Sequence, residues 1–319
     1  MGLTERKNLS AAIKGRAAEL GFDLCGIARA GKLSEDGRIL EQWCKAGMNA
    51  GMSFLQRDIP GRINPEFLLE GARTLVVTGL CYHSETEQKD PDAPVLSRHA
   101  YGLNYHDVVR AKLGLLLEFT RIRFPGIRGR IFCDSGSILE KAWARRAGLG
   151  WPGRHSVLIN KDIGSYFFIG ILILDVEAEY DRPFEDNLCG SCRACIEACP
   201  TGAINDDYTI DARKCIAYQT IENKGPIPEE IICRLGGRVY GCDACQEVCL
   251  WNRQTDCRSH PEFGLNEEIA AMTREDWLLL DREDYRKLFR NTTAGRVKFG
   301  NFVRNIRAAV KSADCQQSR

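Results

Sequence analysis

Cys189-Gly-Ser-Cys192-Arg-Ala-Cys195-Ile-Glu-Ala-Cys199-Pro200 is the stretch on which the reading of this chain turns. Three thiols at two-residue intervals curl onto one face of a cubane, and a fourth follows three residues later. That is the ligand run of a bacterial-type [4Fe–4S] protein. A second group, Cys242-Asp-Ala-Cys245-Gln-Glu-Val-Cys249, lies downstream, with Cys215 between the two. Together they provide the thiolates for two [4Fe–4S] clusters. The fourth cysteine of each run serves the neighbouring cluster in such proteins. Cys189, Cys192, Cys195 and Cys249 are therefore assigned to one cluster, and Cys199, Cys215, Cys242 and Cys245 to the other. Structural zinc also uses C-x-x-C pairs, but at longer separation and without a triple repeat ending in Cys-Pro. Leu250, not proline, follows Cys249, which alters the turn and not the ligand count.

At 319 residues, 44% hydrophobic and 27% charged, the chain is long enough for more than one folded unit and has a globular composition. A net charge of +1 makes no overall case for nucleic acid or membrane. No run of apolar residues is long enough to span a bilayer. Met1-Gly-Leu-Thr-Glu-Arg6 lacks a signal-peptide core, and Arg6 breaks the myristoylation pattern. The 15 cysteines would suit a secreted disulfide scaffold, but the chain length and tight spacing favour thiolates in a reducing cytosol. A cytoplasmic monomer without membrane attachment is expected. Cys25, Cys44, Cys81, Cys133, Cys233, Cys257 and Cys315 remain and read as ordinary buried or surface residues.

Ahead of the cysteines, helical and strand patterns alternate. Helices are expected over 4–20, 34–47 and 104–123, and strands over 22–28, 74–82, 129–134, 157–159 and 166–174. Ser137 with Glu140 reads as a capping box opening a helix to Ala147. Gly148-Leu-Gly-Trp-Pro-Gly153 lacks the spacing of a phosphate loop and reads as a tight turn. Pro183 and three acids, Asp181, Glu185 and Asp186, mark a linker. The expected division is a catalytic unit over 1–180, a two-cluster ferredoxin-like unit over 181–256 and a short helical basic segment over 257–319.

A bare two-cluster ferredoxin needs far fewer residues, so the first 180 should hold the electron acceptor. Here the chain resembles the epoxyqueuosine reductase family. The resemblance is carried by Ala100-Tyr-Gly-Leu-Asn-Tyr-His106, by Asp134-Ser-Gly-Ser-Ile-Leu-Glu-Lys-Ala-Trp-Ala-Arg-Arg-Ala-Gly-Leu-Gly-Trp151, and by Cys215-Ile-Ala-Tyr-Gln-Thr-Ile-Glu222. Ile227-Pro-Glu-Glu230 and Tyr240-Gly-Cys-Asp243 add to it. It implies an α+β fold with a nitroreductase-like cobalamin-binding domain followed by the cluster domain. It implies an oxidoreductase that converts epoxyqueuosine to queuosine at the wobble position of a tRNA. Electrons would come from an external donor and pass through both clusters to cobalamin. The histidine motif D-x-H-x-x-G, which ligates cobalt in other corrin domains, is absent, so the metal would keep an open position.

By the same resemblance Asp134 is the proton donor to the epoxide. That role calls for a carboxyl kept protonated by burial, against the pull of the following helix N-terminus. Taken alone, an aspartate before a helix reads as a cap. Arg57, Ser97, Leu158, Ile169, Ala217, Asp243 and Ala244 match positions near the corrin or second cluster, and Lys224 a region near the anticodon. Tyr105 and His106 are candidates for the pocket. Trp143, Trp151 and Tyr240 are aromatic candidates for base stacking, with Trp143 better suited to the core. After Trp151 the family pattern of Gly-Lys-Asn-like residues gives way to Pro152-Gly-Arg-His155, which is expected to alter a loop near the cofactor. From residue 286 on, Arg286, Lys287, Arg290, Arg296, Lys298, Arg304, Arg307, Lys311 and Arg319 face one acid, Asp314, and suit tRNA phosphates. A related corrinoid reductase of a small molecule is the second reading, and a non-catalytic electron carrier the third.

Overall fold

Two long apolar runs, buried throughout save for half-buried Ile169, form the centre of the molecule. The computed structural model describes residues 2–253, Cys257 and residues 260–317. Chain order runs α1 (Leu3–Glu19), β1 (Leu24–Arg29), α2 (Ser34–Lys45), α3 (Ile59–Ile63), β2 (Thr74–Cys81) and β3 (Val95–Leu96). Then come α4 (Tyr105–Arg123), β4 (Gly129–Phe132), α5 (Glu140–Arg146), β5 (Trp151–Pro152), β6 (Leu158–Ile159) and β7 (Phe167–Leu174). The sheet order is β1-β2-β7-β4, with every neighbour antiparallel. Thr74 pairs with Leu174 and Cys81 with Phe167, so β2 and β7 run the full length of each other.

The two-residue period divides these strands between two cores. Val76, Leu80, Leu172 and Leu174 pack with Leu9, Ile13 and Leu113 of α1 and α4. Leu75, Val77, Ile171 and Ile173 point the other way, onto Trp143 and Ala144 of α5. Trp143 is thus a core residue, as expected. Most expected elements appear with ends moved by one or two residues; the strand expected to reach Asp134 stops at Phe132. The glycine-rich stretch is a turn: Gly148 has φ 80°, and a Cβ on Gly150 would lie 1.9 Å from the Ile159 carbonyl oxygen.

The cysteine region holds short helices α6 (Ala194–Glu197), α7 (Ile216–Ile221), α8 (Glu229–Ile232) and α9 (Ala244–Glu247), with β8 (Arg238–Tyr240) before α9. β8 pairs in parallel with β3. Behind it stand α10 (Glu267–Ala271), α11 (Arg274–Leu279), α12 (Arg282–Phe289) and α13 (Phe299–Gln317). Trp277, Phe289 and Phe302 share one buried core with Leu96, Tyr101, Val239 and Tyr240. Burying each such ring contributes about 1.5–3 kcal/mol, so the last helices are clamped to both earlier regions. Among the described residues no helix is long and apolar enough to cross a membrane.

Two of the leftover cysteines are not ordinary residues: Cys81 and Cys257 form a disulfide. It ties the end of β2 to the connection after the cluster region. Cys233 and Cys315 lie 3.3 Å apart at sulfur.

Candidate active site

Asp134 sits two residues beyond the end of β4, at φ 57°, a left-handed conformation unusual for a residue with a Cβ. Three groups hold it there. Its N–H donates to Glu140 Oε1 at 2.5 Å. Its Oδ2 accepts from the Tyr105 hydroxyl at 2.8 Å and lies 3.0 Å from His106 Nε2. Arg110 also donates to Ser135 Oγ on the same loop. Tyr105 and His106 open α4, whose cap is Asn104. Asn104 Nδ2 donates to Asp107, which turns Asn104 Oδ1 toward His106 Nδ1 at 2.8 Å. The ring proton therefore belongs on Nδ1. His106 Nε2 is left between Asp134 Oδ2 and the Arg296 guanidinium at 3.2 Å. A lone pair there suits Arg296, and a second proton suits Asp134.

Electrostatics reverse one expectation. Burial pushes the Asp134 carboxyl upward, but hydrogen bonds from His106 and Tyr105, and the charges of His106 and Arg296, outweigh it and hold its pKa below the ordinary value. The side chain is 55% exposed, so burial alone is too weak to keep it neutral. Burial first, then Asp134, raise the pKa of Tyr105, which remains a donor. The group that stays neutral is Glu140, pushed up to about 8 by burial and by the negative charge of Asp134. The expected Ser137–Glu140 capping box is absent. The helix is capped by Leu139, begins at Glu140, and Glu140 reaches back to the Asp134 amide.

Asp134 faces a cavity of about 310 Å³. Tyr105, His99 and Arg296 join it on the polar side; Trp43, Met52, Ala217 and Ile221 give the cavity an apolar wall. Cys215 lines the same space. Cys189, Cys192, Cys195 and Cys249 line one cavity, and Cys195 feels the other three; Cys245 feels Cys242 and Cys215 but also Cys195, and Cys215 feels Cys199. Among the described residues no three ligating side chains converge tightly enough for a single ion. Burial raises the thiol pKa of Cys215 and Cys245, and that of Cys242 to about 11. Iron has to supply the charge that ionises them.

The other expected contacts divide. Ala217 lies in the wall of the Asp134 cavity. Ser97 donates to the buried Asp243 carboxylate at 2.5 Å, and the Arg98 N–H donates to it at 2.7 Å, beside His99. Ala244 is buried at the start of α9, Leu158 is buried against the sheet, and Ile169 is half-buried on β7. Arg57 is exposed and reaches Ser53. None of these last four lines that cavity. Lys224 is exposed in the turn after α7.

Several basic-tail residues are not free for phosphate. Arg304 donates to the carbonyls of Gln219, Asn223 and Gly225, and Lys287 pairs with Glu268 at 3.0 Å. Lys311 pairs with Glu229, and Arg296 turns into the Asp134 cavity. Arg286, Arg290, Lys298 and Arg307 are exposed, and Arg319 lies outside the described residues. Trp151 is buried, with its N–H on Cys189 Sγ at 3.4 Å, so it is unavailable to stack on a base. Tyr240 is buried too, its hydroxyl donating to the Thr293 carbonyl. Glu140 and Arg296 are the site residues that sequence reasoning misplaced. No local pattern marks either one, since each acts through a contact set by the tertiary fold.

Paired thiol groups beside a carboxyl-bearing cavity define an iron–sulfur oxidoreductase, and residues 188–252 match the family model for a 4Fe-4S double cluster binding domain. Residues 62–135 match the model described as epoxyqueuosine reductase QueG, DUF1730. The epoxyqueuosine reductase of Cellulophaga algicola is 40% identical over 294 residues, covering 92% of this chain and 95% of that protein. The Escherichia coli epoxyqueuosine reductase is 36% identical over 310 residues, with coverage of 96% and 81%. An epoxyqueuosine reductase solved with an epoxyqueuosine-modified tRNA-Tyr stem loop superposes with TM-score 0.89 at 30% identity, covering 97% of this chain and 84% of its own. The chain belongs to the epoxyqueuosine reductase family. The α+β fold with a double-cluster domain and a short helical C-terminal segment is as expected.

Proposed function

We propose that this enzyme reduces epoxyqueuosine at the wobble position of a tRNA to queuosine, with Asp134 as proton donor and cobalamin as the terminal electron carrier. The observation that carries the reading is one cavity shared by Asp134 and Cys215. A proton source and an assigned cluster ligand look into the same space. Removing the epoxide oxygen as water takes two electrons and two protons. An external donor would supply the electrons, and Cys189, Cys192, Cys195 and Cys249 would hold one cluster and Cys199, Cys215, Cys242 and Cys245 the other, the pair able to carry electrons singly toward the cavity. The relative solved with a tRNA stem loop supports tRNA as substrate. The Bacillus subtilis enzyme, 29% identical with TM-score 0.88, is described with a catalytic aspartate loop swung out of its active site, which supports the role of the Asp134 loop.

The chain's residues fit a flat apolar group. Ala217 and Ile221 give a low apolar wall beside Cys215, and the polar groups stand opposite. Cobalamin, when bound, supplies a cobalt centre able to take single electrons and pass them to carbon. Of the expected contacts Ala217 would touch it from the cavity wall; Ser97, Asp243, Ala244, Arg57, Leu158 and Ile169 do not line this cavity. At rest Asp134 is ionised and His106 Nε2 shares its Oδ2. As the epoxide C–O bond breaks, the rising basicity of the oxygen would draw one proton through the Asp134 carboxyl, which takes it up from solvent at its exposed face, and the second proton of the water formed would come from solvent. Tyr105 keeps Oδ2 oriented, and Arg296 offsets the charge left behind. The exposed Lys224, Arg286, Arg290, Lys298 and Arg307 offer phosphate contacts to the stem loop.

The test is a nucleoside digest of tRNA from a strain lacking this gene and complemented in turn by wild type and Asp134→Ala. Wild type restores queuosine, and the variant leaves epoxyqueuosine while still binding iron and cobalamin. Queuosine at the wild-type level with Asp134→Ala overturns the proton-donor role.

A further inference from the structure

The loop after Trp151, Pro152-Gly-Arg-His155, does not border the Asp134 cavity. It is the tip of the β5–β6 hairpin, with the Gly153 N–H on the Val157 carbonyl at 2.8 Å. The tip lines a separate cavity of about 590 Å³, together with Cys189, Cys192, Cys195 and Cys249. His155 is 2% exposed and lies in the wall of that cavity. Its Nδ1 accepts the Val157 N–H at 3.2 Å, which puts the ring proton on Nε2. Nε2 is buried and has no hydrogen-bond partner among the described residues. A buried donor without an acceptor is rare and calls for an explanation.

We propose that His155 donates its Nε2–H to a sulfur of the first cluster and thereby raises that cluster's reduction potential. The inference rests on the assignment of Cys189, Cys192, Cys195 and Cys249 to one cluster. An added electron increases the negative charge on the cluster's sulfurs. A donor aimed at them stabilises the reduced form more than the oxidised form. A second donor on the same hairpin already does this at a ligand, the Trp151 N–H on Cys189 Sγ at 3.4 Å. The seat of the ring is built: a Cβ on Gly153 would lie 2.8 Å from His155 Cε1 and 2.6 Å from Ile159 Cδ1. Only glycine at 153 lets the imidazole lie where it does. The hairpin tip thus bears on electron entry and not on the Asp134 cavity.

The test is an anaerobic potentiometric titration of the purified holoprotein, read by the spin signal of the reduced clusters, with iron and sulfide content measured alongside. His155→Phe keeps a ring without a donor, and His155→Gln keeps a donor. The phenylalanine variant is expected to lower the midpoint of one cluster by a tenfold shift in its reduction equilibrium, about 59 mV for one electron. The other cluster stays at its wild-type potential, and glutamine restores most of the shift. Gly153→Ala, which displaces the ring, lowers the same midpoint and decides the matter if the phenylalanine variant assembles poorly. Wild-type midpoints in a fully loaded His155→Phe or Gly153→Ala protein, or equal losses with Phe and Gln, overturn the hydrogen bond. Wild-type protein that takes up no iron overturns the cluster assignment instead.

Discussion

Glu140→Ala should loosen the Asp134 loop without touching the carboxyl proposed as proton donor. Glu140 is neutral near pH 7, so the bond it accepts from the Asp134 amide counts as an uncharged one, about 1 kcal/mol. That bond also offsets the left-handed backbone at Asp134, which costs a residue with a Cβ about 1–2 kcal/mol. Tyr105, His106 and Arg110 keep part of the loop in place, so the loss should fall near the lower end, about 1.5–2 kcal/mol. At about 1.4 kcal/mol per factor of ten, that is roughly a 10- to 30-fold fall in single-turnover rate. Glu140→Gln keeps the acceptor and should stay within about threefold of wild type. The assay is conversion of an epoxyqueuosine-containing anticodon stem loop by the loaded enzyme with a chemical reductant, read by nucleoside mass spectrometry. An alanine variant as fast as wild type refutes the latch.

The same residue fixes a pH dependence. Its pKa is raised from 4.5 in the unfolded reference to about 8 in the fold. Between those values the native carboxyl holds a proton that the unfolded one has lost, so its contribution to stability falls as pH rises. Glutamine cannot ionise. The melting temperature of Glu140→Gln should therefore gain on wild type as pH is raised from about 5 to about 9, most steeply up to about 8. A constant difference across that range removes the assignment of the proton to Glu140.

Asp134→Asn should keep the Tyr105 bond while removing the acid, so turnover collapses by two orders of magnitude or more, about the contribution of general acid catalysis, with melting nearly unchanged. Cys245→Ser should remove one cluster and halve the iron content measured after anaerobic reconstitution, since Cys245 groups with Cys242 and Cys215. Ser97→Ala leaves the buried Asp243 carboxylate one donor short, and urea unfolding should show a loss of about 1.5–3 kcal/mol.

The continuous apolar runs of β2 and β7, the helical period of α4 and the thiol spacing were legible because each is a local pattern. The α5 start was misread because Ser137 and Glu140 have the right spacing for a cap, and the pattern cannot see that the chain turns left-handed at Asp134 first. Arg296 and Arg304 read as free charges because a charge run carries no mark of what it will meet. In the fold one faces His106 and the other satisfies backbone carbonyls around Lys224. The raised acidity of Asp134 was out of reach for the same reason: its donors come from α4 and, through Arg296, from the segment before α13. Cys81 and Cys257, 176 residues apart, offered no local signal of their bond.

Those long-range contacts also bear on where the rate is controlled. Cys215 and Asp134 share a cavity only while the cluster region is held to the catalytic unit, and several features hold it. β3 pairs with β8, Ser97 bonds Asp243, and Ser165 donates to Gln246 and Asn252. Gly241, at φ 73°, lets the two backbones approach so closely that a Cβ there would lie 2.5 Å from Ser97 Cβ. A seam with buried polar ties at Asp243 and Gln246, on either side of Cys245, opens only at the cost of several unmet hydrogen bonds at once. Changes in the distance between cluster and cavity are therefore a poor candidate for gating. The Asp134 loop is the better one: its tie to Glu140 is a single uncharged bond, and its carboxyl is more than half exposed. Substrate that closes over that loop would align the acid at the moment the wobble base enters, which couples proton delivery to the presence of the epoxide.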